Sequence, residues 1–263
     1  MRLRLNWRYL LIGLLAYVVF LLVQFPADRA YAWWKAGPGA QQEVVFTGLS
    51  GSVWQGSAQQ ASIDGQRLQG LEWHLKPWTV LFGKLEIDYE IRLNDGFLRG
   101  RVAADPQGAV AFDALEAKLH LAQLSLPAIA ALRPSGVVNL NLQGVDWNGE
   151  ALLSAQGRVV WSDAGISLLQ PLQFGDLALT LETRDDGVVG ELSDAGGPLQ
   201  AEGLLTFKPD GSYQFTGSFA ARGGAQSPLG RALSVLGRPG ADGKIQVSRS
   251  GQLAALGLVS SQR

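Results

Sequence analysis

The chain has no cysteine, two histidines and one methionine among its 263 residues. The absence of cysteine excludes disulfide bonds, a thiolate nucleophile and a cysteine-ligated zinc site. The histidines, His74 and His120, lie in strand-like stretches, and the sequence contains no H-E-x-x-H, G-x-S-x-G, Walker A or G-x-G-x-x-G motif. These absences predict a protein that is not an enzyme, needs no metal or cofactor and has no small-molecule substrate.

The chain also lacks an excess of positive charge. Its 22 basic and 23 acidic residues give a net charge of −1, so nucleic acid is not an expected partner. Arg2, Arg4 and Arg8 are the charges that precede Asp28, and residues 9–25 carry none. A helix over 9–25 would span about 25 Å, the short end of a transmembrane segment. A basic head before an apolar segment predicts a cytoplasmic tail over 1–8, a single-pass anchor over 9–25, and a body on the other side of the membrane.

Aromatic residues flank the predicted anchor, as expected at the two membrane–water interfaces. They are Trp7 and Tyr9 on one side, and Tyr31, Trp33 and Trp34 on the other. Pro26 is expected to end the helix, and residues 26–43 to form a juxtamembrane linker. A cleaved signal peptide remains an alternative, since residues 30–32 (AYA) have the small-x-small form of a cleavage site, although the apolar run is longer than usual.

The pattern of the body is typical of β-structure rich in turns, in agreement with the 33 glycines of the whole chain. Apolar residues alternate with charged ones over 85–93, and residues 94–96 (NDG) supply a hairpin turn. Residues 199–207 and 212–219 read as two further strands around the turn at 209–211 (PDG).

Three landmarks of the sequence occur twice. Trp147, Phe174 and Gly187 follow Trp54, Phe82 and Gly96 at offsets of 93, 92 and 91 residues. A nearly constant offset predicts one supersecondary unit used twice. We therefore expect repeats over 44–143 and 144–263, the second including a C-terminal tail. Each would carry one short helix, near residues 125–132 and after Ser227, in a single curved antiparallel sheet.

Tryptophan is the most unusual component of the body. The candidate structural and interaction residues are five tryptophans and the glycines that flank two of them: Trp54, Trp73, Trp78, Trp147, Trp161, Gly51, Gly56, Gly144 and Gly149. Trp54 and Trp147 are predicted to anchor the core, with the glycines admitting another backbone closely. The alternative is an aromatic platform for lipid, glycan or a peptide, for which Trp78 is the best candidate.

Several motifs, in this order, resemble one known family. They are residues 51–56 (GSVWQG), 71–77 (LEWHLKP), 81–83 (LFG), 197–199 (GPL), Gly203, 211–213 (GSY) and 236–239 (LGRP) before 242–243 (DG). Together with the N-terminal anchor, this pattern is similar to protein N of the type II secretion pathway over almost the whole chain.

The resemblance implies an inner-membrane protein of Gram-negative bacteria with a periplasmic domain. It would belong to the machine that exports folded exoproteins through the outer-membrane secretin, and its partners would be other inner-membrane subunits of that machine, the secretin and membrane lipid. The family implies no catalytic residues. More distantly, the chain resembles AsmA-like envelope proteins, which implies an alternative role: binding or handling lipid in a curved apolar groove.

Overall fold

The computed structural model describes residues 7–37, 44–63, 66–80, 82–105, 109–123, 131–167, 170–235 and 237–253. In this part of the chain there are four α-helices: α1 (Trp7–Val23), α2 (Ala27–Ala36), α3 (Pro77–Val80) and α4 (Pro228–Leu233). The predicted helix near residues 125–132 lies mostly outside the described residues, as do 1–6, 38–43 and the tail over 254–263.

All the strands of the described residues belong to one antiparallel sheet of fourteen strands. They are β1 (Val44–Thr47), β2 (Ser50–Gly51), β3 (Gln55–Ile63), β4 (Gln66–Leu75), β5 (Leu85–Leu93), β6 (Gly96–Ala104), β7 (Val110–His120), β8 (Ser135–Trp147), β9 (Leu152–Ser167), β10 (Pro171–Arg184), β11 (Gly187–Asp194), β12 (Leu199–Phe207), β13 (Ser212–Ala221) and β14 (Ile245–Gln252). From β3 to β14 each strand pairs with the next, while β1 and β2 both pair with β3.

This architecture confirms the predicted mainly-β fold and single antiparallel sheet. The alternating segment over 85–93 is β5, and its turn leads into β6. The strands predicted around residues 209–211 are β12 and β13, and the backbone N–H of Ser212 donates to the Asp210 carboxylate there. The predicted start of α4 is also confirmed, because Ser227 is its N-cap and Pro228 its first residue.

Residues opposite one another in the ladder form rows that run across the sheet, and neighbouring rows point to opposite faces. One row is apolar: Ala58, Leu71, Ile91, Leu98, Ala117, Leu140, Val159, Leu179 and Leu192. The row beside it is mostly polar: Ser57, Glu72, Glu90, Arg99, Glu116, Asn141, Arg158, Thr180 and Glu191. The sheet therefore has an apolar face and a polar face, as antiparallel sheets with one solvated side do.

Different elements cover different parts of the apolar face. Over β12 and β14, α4 contributes to a buried cluster of Leu199, Ala201, Leu229, Leu233 and Ile245. Over β8–β11, the side chains of the sheet pack on one another around Leu142, Ala155, Leu181 and Val188. Over β1 and β4–β6, the covering element is α2.

The connections between strands alternate between the two ends of the sheet. We call the end that carries the β4–β5 connection the α3 end; α4 lies at the opposite end, between β13 and β14. The N-terminal helices join the sheet at the α3 end, where Pro26 forms a bridge with Ser52 and the backbone N–H of Val53 donates to the Phe25 carbonyl at 3.0 Å.

Among the described residues, no helix combines the length and the apolar character required to cross a membrane.

The predicted internal repeat is not confirmed. Three strands, β3 to β5, lie between Trp54 and Gly96, whereas two strands, β9 and β10, lie between Trp147 and Gly187. In a meander, this difference places Gly96 and Gly187 at opposite ends of the sheet. The matched landmarks therefore do not correspond strand for strand.

Candidate interaction surface

Helix α2 lies where the sequence predicted a linker. Its apolar residues Ala27, Ala30, Tyr31 and Trp34 follow helical spacing and face the sheet, where they line a shared cavity. Lys35 lies in the last turn and Asp28 in the first, as the helix dipole favours. The spacing of these residues is a signal for a helix within the predicted linker over 26–43, which sequence reasoning missed.

Tyr31 fixes α2 to the edge of the sheet. Its hydroxyl donates to the Val44 carbonyl at 3.1 Å and accepts from the Phe46 N–H at 3.4 Å. Its ring also meets the Phe46 ring edge-on, at 5.3 Å between centroids. Tyr31 and Trp34, two of the aromatic residues predicted to flank the anchor, line the cavity, whereas Trp33 is 73% exposed.

The cavity between α2 and the sheet has a volume of about 630 Å³. Apart from the Tyr31 and Tyr89 hydroxyls and the Trp34 and Trp73 indole N–H groups, the side chains around it are hydrocarbon. They come from α2, β1, β4, β5, β6 and the turns beside β2: Ala27, Ala30, Tyr31, Trp34, Val44, Phe46, Leu49, Val53, Leu68, Leu71, Trp73, Ile87, Tyr89, Ile91 and Val102. Burial raises the pKa of Tyr89, as expected for a phenol in apolar surroundings.

Trp73 is the predicted site residue most closely tied to this cavity. Its indole N–H donates to the Val53 carbonyl at 3.0 Å, and its ring lies against Gly56, where an added Cβ would clash with a ring carbon. Gly51 is similarly crowded, because a Cβ there would lie 2.5 Å from the Gln55 carbonyl oxygen. The predicted close approach is thus present at Gly51 and Gly56.

The other predicted glycines do not admit a close approach. Gly144 and Gly149 have φ angles of 55° and 97°, and an added Cβ would meet nothing within 4 Å. Their role is to adopt a left-handed backbone, so the prediction of backbone contact was wrong for this pair.

The five tryptophans do not form one cluster. Trp54 is half-buried in the β2–β3 turn, where its carbonyl accepts from the Leu75 N–H at 2.6 Å. Trp147 is half-buried at the end of β8, also at the α3 end. Trp161 lies on β9, donates its indole N–H to the Ser135 carbonyl at 2.9 Å and meets Phe174 edge-on at 6.2 Å. Trp78, in α3, is 74% exposed.

The polar face carries cross-strand ion pairs. Arg101 pairs with Asp88 and Arg99 with Glu116, each at 2.6 Å, and these carboxylates raise the pKa of both guanidinium groups through hydrogen bonds and charge. Within the described ranges, no cluster of histidine, aspartate and glutamate is arranged to hold a metal ion. The arrangement suits binding and docking, since it offers an apolar cavity, exposed rings and sheet edges.

Known proteins match the chain over most of its length. A family model for "Type II secretion system (T2SS), protein N" matches residues 42–248. The type II secretion system protein N of Klebsiella pneumoniae is 32% identical over 258 residues, which cover 90% of this chain and 93% of that protein. The protein N of Vibrio cholerae serotype O1 is 28% identical over 248 residues, 89% of this chain and 93% of the relative.

The protein N of Aeromonas hydrophila is 24% identical over 255 residues, which cover 91% of this chain and 96% of that protein. No solved structure matches the chain. The family model spans well over half of the chain, across the sheet from its first strand into its last. The chain belongs to the protein N family of the type II secretion system.

Proposed function

We propose that the chain is a non-enzymatic inner-membrane subunit of the type II secretion system. It supports assembly or coupling of the machine that exports folded exoproteins through the outer-membrane secretin. The family match over residues 42–248 carries this proposal. A component of such a machine works by contact with other subunits, which agrees with a sheet whose described residues offer surfaces for docking.

We propose that α1 anchors the chain, with its N-terminus cytoplasmic and the sheet periplasmic. Apolar side chains along the helix are exposed rather than packed on the sheet: Leu11, Ile12, Leu14, Tyr17, Phe20, Leu21 and Val23 are each 49–63% exposed. At 17 residues α1 would span about 25 Å, so the bilayer would thin locally around it. The basic residues Arg2, Arg4 and Arg8 favour the proposed orientation.

The proposed partners are the other inner-membrane subunits of the machine and the secretin. Strand β14 is the long edge of the sheet: it has 8 residues and, among the described residues, pairs with β13 alone. Its outer N–H and C=O groups suit the addition of a strand from a partner. The opposite edge is formed by β1 and β2, which have 4 and 2 residues.

The test is capture of the full chain from the membranes of a bacterium that carries the system. The chain is tagged at its C-terminus, extracted in a mild detergent, and its partners are identified by mass spectrometry. A matched variant replaces α1 by an unrelated transmembrane helix of the same length. Alkaline carbonate extraction of the same membranes reports whether the native chain is integral.

We expect the native chain to resist carbonate and to enrich secretion subunits. Loss of these subunits in the variant would assign the contacts to α1, and their retention would assign them to the sheet. A chain that carbonate releases would refute the anchor, and a chain that enriches no secretion subunit would refute the role in the machine.

Nothing in the described residues favours the alternative of an AsmA-like lipid carrier. A carrier needs an apolar groove that continues along the sheet. Here the apolar face is filled over β8–β11 by the side chains of the sheet and over β12 and β14 by α4, so the open cavity stops at the α2 part of the face.

A further inference from the structure

The connection between β4 and β5 presents large apolar rings to solvent. This α3 loop, residues 76–84, contains Trp78 and Phe82, which are 74% and 84% exposed, and Val80, which is 42% exposed. Exposed apolar residues that stand together mark a site of contact, whereas isolated ones do not. The neighbouring Gly83 has a φ of 72° and open space around it, as expected in a turn that projects from the sheet.

The same end of the sheet is joined to the end of α1. The backbone N–H of Val53, in the β2–β3 turn, donates to the carbonyl of Phe25, and Pro26 bridges Ser52. Because the sheet is a meander, the β2–β3 turn and the α3 loop both lie at its α3 end. The rings of the loop and the last turn of the apolar helix therefore meet solvent at one end of the molecule.

The basic residues of the α3 loop suit contact with an anionic surface. Lys84 is exposed beside Phe82, and Lys76 holds Glu86 in an ion pair at 3.0 Å. The later connections at the α3 end carry mostly carboxylates: Asp105, Glu150, Asp185, Asp186 and Asp210, against one lysine, Lys208. An anionic surface would attract the loop and repel these connections, so contact would be restricted to the loop.

We propose that the α3 loop is a second membrane contact, in which Trp78 and Phe82 enter the interfacial layer of a phospholipid bilayer and Lys84 approaches the phosphates. The proposal rests on the anchorage by α1 put forward above. Tryptophan and phenylalanine on a short projecting loop suit the boundary between headgroups and acyl chains, and lysine suits the anionic headgroups. A helix and a loop inserted together would fix the tilt of the sheet, which a single helix cannot do.

The absence of cysteine allows a direct test on the full chain. Phe82→Cys provides one site for an environment-sensitive fluorophore, and the chain is reconstituted in vesicles of phosphatidylethanolamine and phosphatidylglycerol. Lipids carrying a nitroxide near the headgroup or near the chain end are then added as quenchers. The matched control is Val235→Cys, because Val235 is also apolar and 86% exposed but lies at the opposite end of the sheet.

The label at position 82 is expected to lose most of its emission to the headgroup quencher, while the label at position 235 keeps its emission. Leu14→Cys, in the middle of α1, separates the two proposals. If the label at 14 is quenched by the deep nitroxide but the label at 82 is not quenched, the anchor holds and the loop contact is refuted. If neither label is quenched, the anchor itself is refuted.

A second variant tests the role of the tryptophan. Trp78→Ser in the Phe82→Cys background should reduce the quenching at position 82 and shift the emission to the red, because the loop would leave the interface more often. Unchanged quenching would overturn the assignment of Trp78 as an anchoring residue.

Discussion

Helices α2 and α4 cover the same face of the same sheet, but they fill it differently. Leu229 and Leu233 of α4 are 6% and 8% exposed and belong to a closed cluster with residues of β12 and β14. In α2 only Ala27 is buried, and about 630 Å³ stays open beneath the helix. Paired leucines one turn apart fill the space between helix and sheet, whereas alanines and tilted rings leave space between them. The apolar face of one sheet can therefore form a closed core in one region and stay open to solvent in another.

The largest expected effect comes from creating a cavity in the buried cluster under α4. Leu233→Ala removes a buried side chain from the α4 cluster and should cost about 2–5 kcal/mol of unfolding free energy. Urea unfolding of the full chain in detergent, followed by tryptophan fluorescence, measures the loss.

Leu204→Ala is the matched control, because Leu204 is 46% exposed and lies on the polar face beside Glu191 and Thr216. It should change the unfolding free energy by no more than about 0.5 kcal/mol. Equal losses at positions 233 and 204 would contradict the view that α4 closes a core.

The same substitution should have opposite effects under the two helices. Ala201 is 0% exposed under α4, so Ala201→Leu would overpack the cluster and destabilise the chain by about 1–3 kcal/mol. Ala30 lines the cavity under α2, so Ala30→Leu would add apolar contact in open space and stabilise by up to about 1.5 kcal/mol. Urea unfolding measures both variants, and a clear loss for Ala30→Leu would show that the cavity has no usable room.

An effect of similar size depends on pH in the α4 region. Asp194, whose side chain is 9% exposed, accepts hydrogen bonds from the Arg222 guanidinium and from the backbone N–H groups of Ala201 and Gly196. Burial opposes ionisation of this carboxyl, but Arg222 and the two N–H groups outweigh it and lower its pKa. Asp194→Asn should therefore cost about 1–3 kcal/mol at neutral pH.

The pKa of Asp194 is lower in the folded than in the unfolded chain. Its stabilisation is complete above the unfolded pKa and is lost as the pH falls through the folded pKa. Asp194→Asn should thus flatten the acid limb of a plot of unfolding free energy against pH. Asp210→Asn is the comparison variant: hydrogen bonds from Ser212 also lower the pKa of Asp210, but this carboxylate is exposed, so its flattening should be the smaller one. An equal flattening at both positions would contradict the role of Asp194.

The smallest expected effect is spectroscopic and concerns the α2 region. Because burial raises the pKa of Tyr89, its phenol should ionise at higher pH than an exposed tyrosine, and its contribution to stability should be lost as the pH rises through that folded pKa. Phenolate absorbance followed on titration should show a late step that Tyr89→Phe removes. Ala30→Leu should move that step to still higher pH, and a step at the ordinary pH would mean that water fills the cavity.

Local pattern was enough to predict the hairpins. Strand β5 has strict alternation and a turn with glycine, so its bounds and its cavity-facing residues Ile87, Tyr89 and Ile91 follow from the sequence. The start of α4 follows from Ser227 and Pro228 in the same way, because a capping residue acts within one turn.

The positions of strands and side chains that are far apart in the chain could not be predicted from local pattern. The repeat was inferred from spacing along the chain, but the sheet inserts an additional strand between Trp54 and Gly96, and spacing does not count strands. The roles of Gly56 and Gly149 also differ, although both flank a tryptophan, because only Gly56 faces the ring of Trp73. Which part of the apolar face stays open depends on the size of the side chains on α2 and α4, which periodicity does not report.

From β3 onward, every strand of the sheet hydrogen-bonds to the strand that precedes it in the chain. Contacts of this kind span short stretches of sequence, so a chain delivered N-terminus first can add each strand to a finished edge without waiting for a distant segment. The sheet then grows in one direction, away from the β1/β2 edge, where Pro26 forms a bridge with Ser52. Its last described strand, β14, is an edge to which no later described strand is added, and a strand from another protein would continue the same process beyond β14.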